Sequence, residues 1–169
     1  MSHHIFILEM KKLLQGVEGW LDKTVAFAAT KKFDPNTLLQ ARIAPDMFPF
    51  VRQVQSACDS AKYAASRTAG KEPPAHPDTE TTIEELKKRV ASVVAYLDTF
   101  KESDFDGSDD RRVSLPRWEG KEMTGTMYLV QHAMPNFFFH LTTSYAILRH
   151  NGVDVGKRDY LGTMQYVNR

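Results

Sequence analysis

Apolar residues recur at helical spacing in four long stretches of this chain. The first runs through Ile5, Leu8, Leu13, Leu14, Val17, Trp20, Leu21, Val25 and Ala28, a repeat close to 3.6 that predicts an amphipathic helix over roughly 5–31. Gly16 and Gly19 interrupt it, each costing up to about 1 kcal/mol relative to Ala, and are expected to let another backbone approach. Asp34-Pro35-Asn36 is a turn signal, and a linking piece over 37–44 follows. A second helix is expected over 47–69, with Asp46 as N-cap, Pro49 in its first turn and Gly70 as its stop.

Residues 71–81 (KEPPAHPDTET) are polar and proline-rich, hence a surface loop. Thr82 and Glu85 then match a capping box, and Leu86, Val90, Val93, Val94 and Leu97 form the apolar stripe of a third helix ending near Phe100. Residues 101–110 are acidic and solvated. The segments 112–115 and 121–124 flank Pro116 to Gly120 as a short β-hairpin. Residues 126–134 read as helical and meet a helix opened by Pro135 and closed by Gly152, either as one kinked helix or as two in series. The tail, 153–169, reads as irregular, and Asp159 within it is expected to pair with a base. There is no internal repeat. The whole, 1–169, is predicted to be a single all-α domain, a helical bundle with a small insertion before the last helix.

Composition narrows the function. With 22 basic and 21 acidic residues the net charge is +1, so no global field favours nucleic acid or an anionic membrane. No run approaches the roughly 18 apolar residues of a membrane span, and the first residues lack the basic start and continuous apolar core of a signal peptide. The single Cys58 excludes an internal disulfide and fits a reducing compartment. The expected location is the cytoplasm.

Chemistry concentrates in 135–152. Asn136 and His140 lie one turn apart on one helical face, as a ligand or metal site or as a buried hydrogen bond. His140 has three readings: a metal ligand, a general base titrating in the physiological range, or a core histidine. Asn136 can orient the imidazole, bind a substrate carbonyl or cap the helix. On the second helix, Gln55 and Asp59 share a face. With Gln53 they read as a polar cluster in which Asp59 holds a histidine's other nitrogen, or else Asp59 pairs with Lys62 at the surface. Cys58, among small residues, reads as a small buried hydrophobe. Phe137, Phe138 and Phe139 point in three directions and cannot all serve one core. His132 lies near two turns before His140 and shares its face if the helix is continuous. His3, His4 and His76 carry no pattern.

Residues 44–62 (APDMFPFVRQVQSACDSAK), 135–152 (PNFFFHLTTSYAILRHNG) and 156–162 (GKRDYLG) together resemble an uncharacterised branch of the DinB/YfiT-like superfamily. The resemblance covers nearly the whole chain. It implies an up-down-down-up four-helix bundle, commonly dimeric. Better-known relatives are metal-dependent thiol-transferases and maleylpyruvate isomerases, whose divalent metal is held by one histidine on the second helix and an H-x-x-x-H pair on the fourth. Carried across, His140 falls on the second histidine of that pair, Asn136 on the first, and Gln53 or Gln55 near the second-helix position. One imidazole with two amide oxygens is a poor set for Zn or Ni.

The leading expectation is a small-molecule-binding protein or enzyme with a pocket between the second and fourth long helices. Its polar floor is Asn136, His140, Gln53, Gln55 and Asp59, and its walls are Phe48, Phe139 and Tyr145. His140 and Asp59 are the catalytic candidates, for metal-independent isomerisation or cyclisation of an apolar substrate. The alternatives are divalent-metal chemistry of the thiol-transferase or hydrolase type, with Zn or Ni on His140, and a non-catalytic dimeric interaction protein. A homodimer with no cofactor is expected, without nucleic-acid or membrane partners.

Overall fold

The computed structural model describes residues 2–167. Four long helices form the bundle: α1 (His3–Lys31), α2 (Phe50–Ala69), α3 (Ile83–Leu97), and a last helical run made of α4 (Gly125–Tyr128), a π-turn over Leu129–Ala133 and α5 (Met134–His150). A short α6 (Lys157–Leu161) follows. Leu14, Trp20, Leu21, Phe50, Val54, Ala61, Leu86, Val90, Phe137, Leu141 and Leu148 meet in one core. α2 is the central element. Its Ala57, Ala61, Ala64 and Ala65 are small enough for neighbours to pack close, and it packs on α5, α3 and α1.

Helix ends follow local chemistry. Thr82 and Glu85 form the expected capping box, and Gly70 and Gly152 stop their helices at positive φ, where a Cβ would be strained. The second helix starts later than the sequence predicts. Asp46 does not cap it; Pro49 occupies the N-cap position and Phe50 is its first residue. A residue before proline is disfavoured in the α region, and here the extended Pro49 starts the helix, which leaves Phe48 outside it. Gly16 admits the neighbour expected of it, since a Cβ there would lie 3.3 Å from the Asp159 carbonyl oxygen, whereas Gly19 faces open space.

The insertion is an antiparallel pair, β1 (Arg112–Ser114) with β2 (Glu122–Thr124), joined through a 3₁₀ turn at Pro116–Trp118. It is anchored by His3, which is buried rather than unpatterned: its Nδ1 meets Ser108 Oγ at 2.8 Å and its Nε2 meets Thr126 Oγ1 at 3.1 Å. The last helical run is continuous. Pro135 has no N–H to donate, and the π-turn just before it absorbs that loss without ending the helix. The tail is less irregular than predicted, because Asp159 caps α6 through the Gly156 N–H at 2.7 Å and pairs with Lys23 at 2.7 Å. Trp20 donates to the Asp159 carbonyl and stacks on Tyr160, which ties α6 to α1. Residues 168 and 169 of the predicted tail lie outside the described residues. No described helix is long and apolar enough to cross a membrane.

Candidate functional site

A cleft of about 490 Å³ opens between α2, the last helical run and the hairpin, within the range of small-molecule sites. α2 contributes Ser56, Asp59, Ser60, Tyr63 and Arg67; the last run contributes Tyr128, His132, Asn136 and His140. Phe48 closes one end, and Leu115 with Arg117 the other. In an unbroken α-helix, eight residues overshoot two turns by about 80°. The π-turn winds fewer degrees per residue, which keeps His132, Asn136 and His140 on the cleft side. π-turns inside α-helices are frequent at functional sites.

His140 is held by Gln53. Gln53 Nε2 donates to the Phe48 carbonyl at 3.1 Å, an atom that only accepts, so the amide oxygen faces the imidazole. His140 Nδ1 lies 2.7 Å from that oxygen and must carry the proton. The neutral ring therefore presents Nε2 as an unprotonated acceptor, and no protein group among the described residues bonds to it. Burial, aided by the nearby Arg52 charge, holds the His140 pKa below its ordinary value. Asn136 stands one turn away and donates to Ser60 Oγ at 2.6 Å, which leaves its carbonyl oxygen and one N–H for a ligand.

Asp59 lines the cleft without touching His140. Its Oδ1 accepts from Arg89 at 2.6 Å and Lys62 at 2.9 Å, so the orienting position expected of Asp59 belongs to Gln53. The pair with Lys62 forms, but Lys62 is only 1% exposed. Arg89 and Lys62 are the centre of a charged layer under the 71–81 loop. Glu80 and Asp78 each lie 3.5 Å from Arg89, and His76 Nδ1 lies 3.3 Å from Lys62 Nζ. Gln55 points into this layer, donating to Glu80 at 2.7 Å, and does not line the cleft. Tyr145 packs on Trp20 and Tyr160, away from the cleft. Phe139 is 58% exposed on the outer side of α5, whereas Phe137 is buried and Phe138 half-buried, as three consecutive helical positions require. Phe48 lies at the cleft and under the Arg52 guanidinium. Cys58 is fully buried, and its thiol is pushed up to about 12, chiefly by desolvation.

Sequence reasoning missed Ser56, Ser60, Tyr63, Arg67, Leu115, Pro116, Arg117 and Tyr128. The spacing of Asp59, Tyr63 and Arg67 at i, i+4 and i+8 was the available signal for the α2 wall; nothing local placed the hairpin opposite it.

The donor set does not fit a divalent metal. The Gln53 oxygen is spent on His140, so one imidazole nitrogen and the Asn136 amide oxygen remain, too few and too weak a set. Among the described residues no three His, Cys, Asp or Glu side chains stand together as a metal site.

This arrangement of four helices, with a polar cleft between the second and the last, defines a DinB-like bundle. A crystal structure of a DinB family member protein from Shewanella denitrificans superimposes with a TM-score of 0.93 at 47% identity, over 96% of this chain and 93% of that one. Residues 3–161 match the family described as Domain of unknown function (DUF1993), and the chain belongs to that family. No curated protein matches it.

Proposed function

We propose that the cleft binds a small carbonyl-containing molecule and that His140 moves a proton at its Nε2. The observation that supports this is the fixed tautomer: Gln53 accepts the hydrogen bond from Nδ1–H, which leaves Nε2 as the base of a ring that lines the cleft beside Asn136. A depressed pKa keeps the ring neutral, hence a base, at pH 7. Asn136 retains one N–H to polarise a carbonyl oxygen. Removing a proton beside that carbonyl and returning it elsewhere is the step an isomerisation or cyclisation needs. Asp59 is assigned no part in the proton transfer, since two cations hold its carboxylate.

The test is a screen of small ketones, enones and lactones by amide NMR, followed by turnover assays on any that bind. Binders should shift resonances of Ser60, Tyr63, Asn136 and His140. Any turnover should fall about 10²-fold or more in His140→Ala with the fold intact. Shifts confined to other surfaces, or turnover indifferent to that substitution, would sink the reading.

A further inference from the structure

The end of the cleft away from His140 holds polar side chains to which proton transfer assigns nothing. Arg67 lies with its guanidinium 4.2 Å from the Tyr63 ring centroid and donates to Tyr128 Oη at 3.0 Å. Arg117, on the hairpin, donates to Nε2 of His132. His132 stacks on Tyr128 at 5.5 Å and meets Trp118 edge-on at 5.5 Å. Its remaining nitrogen, Nδ1, must carry the proton, and it is buried with no acceptor among the described residues.

Neither Arg67 nor Arg117 has a carboxylate within 4.0 Å among the described residues, although Arg52 and Arg89 are both paired. The cleft's one acidic lining residue, Asp59, is already neutralised by Lys62 and Arg89. Two unpaired guanidinium groups thus converge on one aromatic corner. Both depress the His132 pKa, adding to its burial. Lying over the Tyr63 ring, the Arg67 guanidinium sheds part of its water, and its planar fork keeps donors for an oxyanion.

We propose that Arg67 and Arg117 form an anion subsite, and that the molecule taken by the cleft is a small organic anion, a carboxylate or a phosphate ester. This rests on the reading of the cleft as the ligand site. His132 and His140 are eight residues apart on one helical run, about 12 Å at 1.5 Å per residue. An anionic group at the arginines is therefore not the group on which His140 acts; it is a handle at the far end of the molecule. The body between them lies against Tyr63, Leu115 and Ala133.

The experiment compares 4-phenylbutyrate, its neutral amide 4-phenylbutyramide, phenyl phosphate and inorganic phosphate by amide NMR titration of the full chain. The proteins are the wild type, Arg117→Gln, Arg67→Gln, Arg67→Lys and His140→Ala. Arg117 is exposed, so its replacement does not endanger folding. At least one of the organic anions should shift resonances of Tyr63, Arg67, Arg117 and His132, with a Kd at least tenfold below that of the amide. Each Arg→Gln change should weaken the anion about tenfold and leave the amide unchanged. Arg67→Lys should recover only part of the loss, because lysine lacks the fork. His140→Ala should leave binding at this end intact. Stronger shifts with phenyl phosphate and inorganic phosphate than with the acid assign a phosphate; the reverse assigns a carboxylate. Equal affinity for acid and amide, with cleft shifts from both, overturns the anion subsite and leaves the cleft as a ligand site. No cleft shifts from any of the four probes overturns the subsite and counts against the cleft as well.

Discussion

Gln53 and His140 face each other across the α2–α5 interface, with the amide oxygen of one 2.7 Å from Nδ1 of the other. The glutamine is itself fixed by the Phe48 carbonyl. Because α2 begins at Phe50 with Pro49 as its N-cap, Phe48 stays outside the helix with its carbonyl free for that bond. Two hydrogen bonds in series, from Gln53 to the Phe48 carbonyl and from His140 to Gln53, thus set which imidazole nitrogen carries the proton.

Gln53→Ala should release that choice. Imidazole nitrogen NMR of the wild type should show the Nδ1–H form of His140, and the variant should show a mixture of tautomers. Loss of the buried bond should cost about 1–2 kcal/mol of stability in denaturant unfolding. An unchanged tautomer would show that another group holds the ring.

Removing Arg89 should be among the most damaging polar substitutions. It is 3% exposed and holds Asp59 at 2.6 Å, with Glu80 and Asp78 at 3.5 Å. Arg89→Met leaves Asp59 with Lys62 alone and is expected to cost about 3 kcal/mol, read from the urea midpoint. It should also increase proteolysis of the 71–81 loop, which the layer pins.

Cys58 should be inert in the native protein. Its thiol is fully buried and pushed up to about 12, so little thiolate exists at pH 8. A disulfide reagent should label it only at the rate of unfolding, and denaturant should expose one thiol per chain.

Four histidines, His3, His76, His132 and His140, have pKa values held below the ordinary 6.5, in each case first by burial. The folded chain then binds fewer protons than the unfolded chain over the interval beneath 6.5. Stability is complete above that value and falls with pH through the depressed folded values. The thermal midpoint should drop by several degrees between pH 7.5 and pH 5. His140→Gln should flatten that dependence, and an unchanged slope would mean His140 protonates freely in the folded state.

The sequence by itself determined the four helices, the hairpin and most of the helix ends. Apolar period, the Thr82–Glu85 box and the glycines at 70 and 152 act over a few residues, where local sterics and hydrogen bonding govern. It also placed Asn136 and His140 on one face, since helical spacing dictates that. What lies opposite a face is another matter. Gln53 rather than Asp59 reaches His140 because the layer under the 71–81 loop draws the aspartate to Arg89, a residue 30 positions away on α3. Phe139 and Tyr145, reasonable walls by composition, turn outward or toward α6 once α5 seats its buried stripe on α2. Arg117 joins Arg67 only because the hairpin folds back across the cleft. Such pairings depend on which elements pack together, and that is set by the summed burial of the whole core rather than by any local signal.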